Sequence, residues 1–295
     1  MPLFFLRNGI SILLAFLFAA YTAYASAITQ VTYPAGETPN DPRFNDVIEI
    51  LTVALEKTRY RFGDYECHPS VIAMPKKRYL KELAQDERRI NIIWSPSTHA
   101  LEQEFDPIRI PLRKGLLGYR ILIIRKDQQA KFDRIHNLED LTHLKFGQGV
   151  GWVDNQIYDY HGIPVIQGPY GQLFKMLEAR RFDAFPRGAG EILGEMEVQQ
   201  RDHPDLTIEK NLLLYYPFPY YFFFNHQDKE LRNRITLGLH IMQKDGSLDA
   251  IFLKHHKAAI DGLNLKNRRL IRLENPTLPK SAPLNDATLW YVPGK

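Results

Sequence analysis

A binding chemistry can be built in this sequence around Arg187. It follows the short run Arg181-Phe182-Asp183-Ala184-Phe185 and is flanked by Pro186 and Gly188. The run reads as a buried strand, and Pro186-Arg187-Gly188 reads as its stop. Upstream, Leu173, Met176, Leu177 and Arg180 recur at helical spacing. A helix feeding a strand that ends in a polar loop is an α/β unit, and in open α/β sheets ligands sit beyond the carboxyl ends of strands. An arginine there offers a planar, permanently charged fork to a carboxylate or phosphate. The plainer alternative pairs Arg187 with Glu191, four residues on.

A second candidate is Gly149-Val150-Gly151-Trp152-Val153. A strand, a Gly-rich turn and a helix start leave backbone N–H groups and a helix dipole that favour an anion. Gly149, Gly151 and Val153 are the expected contacts, and Trp152 beside them can stack on a ligand or cover a surface. Arg78 lies in the first turns of a helix starting at Pro75. It reads as a surface residue with Lys76 and Lys77, or as a clamp facing a cleft. Cys67 is the single cysteine, so no intrachain disulfide forms, and nothing around it supports a nucleophile. His255 and His256 are neighbours on a helix and point apart, so a surface pair is expected rather than a metal site. No catalytic or metal-binding motif is recognisable, and no cofactor or metal is expected.

These residues need elements to hold them. The chain has 295 residues, 44% hydrophobic and 24% charged, enough for two lobes with a sizeable core. A net charge of +4, with Lys and Arg scattered, does not suggest nucleic-acid binding. Arg7, the apolar run Ile10–Ala20 and two Ala-x-Ala sites ending at Ala25 and Ala27 read as a cleavable secretory signal over 1–27. That run is short of the ~20 residues a membrane span needs. A first strand is expected over Ile28–Tyr33, helices over Phe44–Lys57, Pro75–Asp86 and Asp228–Lys244, and strands over Tyr60–Glu66, Ile90–Trp94 and Tyr119–Arg125. Asn45 or Asp46 is positioned to cap the first helix. Tyr215–Phe224 is an aromatic run that must be buried. Residues 275–295 form a Pro-rich tail whose Trp290-Tyr291 can dock on the body.

Leu177–Ala184 resembles the segment that precedes the ligand-binding acid in solute-binding proteins of family 3, the type that serves amino-acid ABC transporters. Leu138-Glu139-Asp140-Leu141, Phe146–Gly151, Phe218–Phe224 and the stretch from Glu230 to His256 fit the same family in the same order. The resemblance implies an α/β fold of type II periplasmic-binding-protein architecture: two lobes, each a mixed five-stranded sheet flanked by helices, joined by two crossover strands. Lobe 1 would comprise 28–112 and 215–274, and lobe 2 would comprise 113–214. It implies ligand contacts from the loop after the first strand, with Tyr33, Asp41 and Phe44 as candidates. It implies further contacts beyond Trp94, through the hydroxyls of Ser97 and Thr98. Two departures matter. The acid that commonly holds an ammonium appears as Arg187, and the family's carboxylate-binding arginine after the Thr is missing at Leu101. Arg78 or Arg109 would have to replace it. The implied function is that of a monomeric periplasmic protein, not an enzyme. It would capture a small polar, anionic or amino-acid-like solute and deliver it to a membrane permease. The alternatives are a sensing or partner-binding protein and, further off, a dehydratase-type enzyme with Glu191 or Glu195 as acid.

Overall fold

The structure, a computed structural model, describes residues 28–36, 42–85 and 89–294. The expected signal segment and Asp41 lie outside the described residues. No helix among those described is long and apolar enough to cross a membrane.

Three sheets organise the chain. The first pairs β1 (Thr29–Tyr33) in parallel with β2 (Tyr65–Pro69). The second places β11 (Tyr220–Phe224) antiparallel between β3 (Ile93–Pro96) and β4 (Asp106–Ile108). Asn91 stitches the two together. Its N–H donates to Thr32 O at 3.0 Å, its Oδ1 accepts from Thr32 N–H at 2.9 Å, and its Nδ2 donates to Gln30 O at 2.7 Å. These strands thus form one five-stranded layer. The third sheet has seven strands, in the order β12 (Arg269–Arg272), β10 (Leu212–Tyr215), β5 (Tyr119–Arg125), β8 (Ala184–Gly188), β6 (Phe146–Gly149) and β7 (Val165–Gly168), with β9 (Leu206–Ile208) also on β5. The expected five strands are exceeded because β9 and β12 join this edge. The 215–274 segment therefore does not return wholly to the first layer: Arg269–Arg272 pairs in parallel with β10.

The chain crosses between the layers after β4 and again between β10 and β11. The buried strand β5 carries Ile121, Leu122, Ile123 and Ile124, all fully buried. That explains why its sequence is apolar on both faces. Helix α1 (Asn45–Lys57) buries Val47, Ile50, Leu51, Ala54 and Leu55 against α7 (Lys229–Lys244), which presents Ile235, Leu239 and Met242. Neither expected residue caps α1: Phe44 occupies the cap position without a side-chain bond, because the Asp46 carboxylate is engaged elsewhere. The expected strand at Tyr60–Glu66 is displaced. Thr58 Oγ1 bonds Ala54 O and Leu55 O, the chain continues as a helical turn over Arg59–Phe62, and Gly63 at φ 76° ends it before β2.

The aromatic run is buried as β11. Helix α8 (Ser247–Gly262) runs beyond its expected end at His256. The tail docks: Asn275 Nδ2 donates to Pro217 O at 2.9 Å, the Thr277 O accepts from His99 N–H at 2.9 Å, and Tyr291 N–H donates to Lys114 O at 2.7 Å. Trp290 lies directly over Gly115, whose φ of +70° and lack of a Cβ both permit the contact.

Candidate functional site

Arg187 is not in a loop. Strand β8 runs through it, with Arg187 opposite Ile121 and Gly188 opposite Arg120. Pro186 is tolerated because the strand continues in register on β5, so the expected stop at 186–188 is corrected. Arg187 is 4% exposed. Its Nε donates to Glu195 Oε2 at 2.6 Å and its Nη2 to Glu195 Oε1 at 2.5 Å, a bidentate pair, with Glu191 Oε2 3.1 Å from Nη2. Its guanidinium lies 4.8 Å from the Trp152 ring and 5.0 Å from Phe185. Both acids come from the start of α6 (Ile192–Gln199), where carboxylates suit the helix dipole.

Around this pair the two layers bring together residues far apart in sequence. Arg113, in the first crossover, forks onto Asp46 of α1 at 2.6 and 2.8 Å and donates to Arg43 O at 2.5 Å. Its Nη1 stands 3.8 Å from Glu191 Oε1 without a hydrogen bond. Arg120 of β5 reaches Asp154, at the start of α4 (Asp154–Tyr160), at 2.8 Å, and Tyr216 Oη at 2.8 Å. Tyr216 in turn donates to Asp154. Lys76, at the start of α2 (Lys76–Ala84), donates to Ser95 Oγ at 3.0 Å. Burial pushes its ammonium below its ordinary value, against the pull of Asp154. Arg43 stacks 5.1 Å from the Tyr170 ring of α5 (Tyr170–Glu178), joining the two sides.

Among the described residues, Arg43, Lys76, Arg113, Arg120 and Arg187 thus gather with the carboxylates of Asp46, Asp154, Glu191 and Glu195. Burial works to raise the Glu191 carboxyl, but Arg187, Arg113, Arg120 and Arg43 outweigh it and hold it below the usual carboxylate range. The same holds for Asp46, where Arg113 and His256 overcome burial. Among the described residues, no acceptor takes a hydrogen bond from Nη1 of Arg113, Arg120 or Arg187. A cavity of about 570 Å³ opens at this cluster, with Arg43, Asp46, Arg113, Tyr170, Glu191 and Glu195 at its polar end.

The other expected contacts are mostly occupied. Tyr33 and Phe44 pack on Trp94 at 5.4 and 5.7 Å, and Trp94 is buried. Ser97 Oγ donates to Glu102 Oε1 at 2.5 Å, and Thr98 Oγ1 accepts from Leu101 N–H, capping α3 (His99–Glu104). Both hydroxyls therefore serve the local turn. The Trp152 ring covers Gly149 and stacks on Phe185, while Gly151, at φ +73°, has open space around it. Val153 is buried just ahead of α4.

Arg78 is exposed, 4.0 Å from Glu82, and lines a separate cavity of about 290 Å³ with His68 and Ile72. Arg109 is also outside the cluster, pairing with Glu102. Arg113, buried on Asp46 in the first crossover, was passed over by the sequence reading. Its signal was a charge inside an otherwise apolar crossover, as Arg120 is a charge inside an apolar strand. His256 is not a surface residue: it is buried with Nε2 3.1 Å from Asp46 Oδ2, because α8 packs on α1. Burial raises the Cys67 thiol to about 11, which keeps it protonated and inert at neutral pH.

No protein-family model and no curated protein sequence matches the chain. Solved structures do. An ancestral arginine-binding protein bound to arginine is 20% identical, with 77% of this chain and 97% of that one covered at a TM-score of 0.55. An amino-acid ABC transporter substrate-binding protein from Streptococcus pneumoniae, bound to L-arginine, is 17% identical over 79% of this chain and 95% of its own, at 0.55. A histidine kinase sensor domain with similarity to periplasmic binding proteins is 16% identical over 78% and 96%, at 0.55. The chain therefore has the two-lobed α/β fold of these binding proteins, sheets flanked by helices, in a divergent sequence.

Proposed function

We propose that the protein captures a small carboxylate-bearing solute between its two layers, outside the inner membrane, and hands it to a membrane transporter. The observation that carries this reading is the buried cluster that gathers Arg113, Arg120 and Arg187, each with an Nη1 that finds no hydrogen-bond acceptor among the described residues. A ligand carboxylate can take those donors. Arg113, Arg120 and Arg187 are its contacts in this reading, with Trp152 and Tyr170 stacking. The fold shared with arginine-binding and other amino-acid-binding proteins supports solute capture, and the secretory signal read in 1–27 supports the compartment. Binding rather than catalysis is favoured because the surrounding arginines hold the Glu191 carboxyl below the usual carboxylate range, which suits it poorly as a general acid, and because Glu195 is engaged by Arg187 and by Tyr170 Oη at 2.9 Å.

The test is a thermal-shift panel on the chain from Ile28 onwards, with amino acids, dicarboxylates, sugar acids and phosphate esters. A ligand at a hundred times its Kd adds about 2.7 kcal/mol, a shift of a few degrees. Carboxylates are expected to shift the transition, and Arg187→Gln to weaken binding at least tenfold. Unchanged affinity in R187Q sinks the reading. Silence across the panel, with a protein captured on pull-down, favours the sensing alternative, whose fold-level support is the likeness to a sensor domain.

A further inference from the structure

The first layer ends on β2, which pairs with no strand but β1 among the described residues. In a parallel pair the N–H and C=O of one residue turn to the same side, and successive residues alternate. Thr29 N–H donates to Asp64 O at 3.0 Å and Ser70 N–H donates to Tyr33 O at 2.7 Å, with Thr29 in register with Tyr65. Residues 64, 66, 68 and 70 therefore turn their backbone to β1. The far side of β1 agrees, because Gln30 and Thr32 bond there to Asn91. The backbones of Tyr65, Cys67 and Pro69 consequently face outward. Among the described residues, none of Tyr65 and Cys67 finds a backbone partner on that side, and the Pro69 carbonyl meets only the neighbouring His68 ring, at 3.3 Å. Pro69 has no N–H to leave unpaired, which suits an outward register. The opposite edge of the layer, β4, is only three residues long with Pro107 at its centre, so it offers little to a further strand. Exposed apolar side chains flank β2 at both ends: Tyr60, 77% exposed, before it, and Val71 and Ile72, fully and 59% exposed, after it.

We propose that β2 pairs with β2 of a second copy of this chain, antiparallel about a two-fold axis at Cys67, giving a dimer where the sequence implied a monomer. The edge is self-complementary in its side chains. With Cys67 opposite the partner's Cys67, Glu66 stands opposite the partner's His68, and His68 opposite the partner's Glu66. Glu66 and His68 are both exposed and lie on one face of β2, so each pair sets a carboxylate against an imidazole across the junction. The register is specified by the same residues. A slip of two residues one way sets Glu66 against the partner's Glu66, and a slip the other way sets His68 against the partner's His68. Cys67 exchanges both of its outward backbone bonds with its copy, and Tyr65 N–H meets the partner's Pro69 carbonyl. The Cys67 side chain packs toward the core, so it forms no bridge across the junction. Antiparallel pairing also carries Val71 and Ile72 alongside the partner's turn over Arg59–Phe62, where Tyr60 is exposed, and removes apolar surface from water at both ends. No residue of the charged cluster takes part, so this pairing stands or falls apart from the solute reading.

The experiment is sedimentation velocity of the chain from Ile28 onwards, at concentrations from about 5 to about 500 µM. The expected result is a reversible monomer–dimer equilibrium. His68→Glu sets like charges opposite each other twice and is expected to weaken the dimer at least tenfold, with an undiminished monomer Tm because the side chain is exposed. Adding Glu66→His to His68→Glu exchanges the two charges and is expected to restore the dimer. Disulfide trapping reads the register. Glu66→Cys and His68→Cys, each made with Cys67→Ser, are expected to link to one another when mixed under mild oxidation, and neither to link to itself as readily. A monomer at every concentration overturns the pairing. So does a dimer indifferent to His68→Glu, a double variant no tighter than the single one, or Glu66→Cys linking to itself as fast as to His68→Cys; each of these would place the contact elsewhere on the molecule or in another register.

Discussion

Two buried arginines in this protein solve the same problem in opposite ways. Arg234 of α7, 1% exposed, donates to neutral oxygens: Gly63 O at 2.7 Å, Thr29 Oγ1 at 2.7 Å, Leu55 O at 3.3 Å and the carbonyls of Phe62 and Asp64 at 3.4 Å. The oxygens of Leu55, Phe62 and Gly63 end α1 and the turn after it, so a cation there completes a helix terminus and ties it to Thr29 at the start of β1. Arg187, also buried, is held by two carboxylates and retains an Nη1 with no acceptor among the described residues. A carbonyl cage is bonded into the backbone and cannot be exchanged. A carboxylate partner can be supplemented or replaced by another anion. Burial of an arginine is therefore no sign of a binding site by itself; the nature of its partners is.

Substitutions can break this contrast. Arg187→Met leaves Glu195 charged, buried and unpaired, and is expected to cost about 3–5 kcal/mol in urea unfolding and to abolish solute binding. Adding Glu195→Met should restore most of the stability and none of the binding. A double variant as unstable as the single one would mean the pair is not the source of the cost. Arg234→Met leaves several backbone oxygens without their donor and should cost about 3 kcal/mol, with solute affinity per folded molecule unchanged.

Acid separates the two sites further. The folded-state carboxyls of Asp46 and Glu191 are depressed, so their contribution is fully present above the unfolded values near pH 4 and is lost as pH falls below them. Tm measured from pH 7 to pH 3 should drop in wild type and in R234M alike, and less steeply in Asp46→Asn. Parallel curves in all three would remove Asp46 from the account. The smallest expected effect is at the tail. Trp290→Ala uncovers Gly115 and should lower stability by about 1–2 kcal/mol, additive with R234M.

Much of the fold was legible in local pattern. The apolar strand at Tyr119–Arg125, the amphipathic α1 and α7 and the buried aromatic β11 all follow from which residues must leave water. Boundaries failed where a single local bond decided them, as at Thr58, or where a neighbour strand carried the chain through Pro186. Arg187 was legible as a special residue, and its plainer pairing with Glu191 foreshadowed the ion pair with both acids. Arg78 has the exposed position of its plainer reading, whereas Lys76, two residues earlier on α2, reaches inward to Ser95.

Residue types and their spacing settled that the chain alternates helices and strands and that glutamates follow Arg187 at helical intervals. Those properties depend on neighbours in sequence. Only the tertiary structure decided that Arg43, Asp46, Lys76, Arg113, Arg120 and Asp154 meet Arg187, and that α6 and α8 leave an apolar groove beside them. Charges more than a hundred residues apart interact through distance in space, and a buried charge declares its purpose only when the groups sharing its low-dielectric surroundings are known.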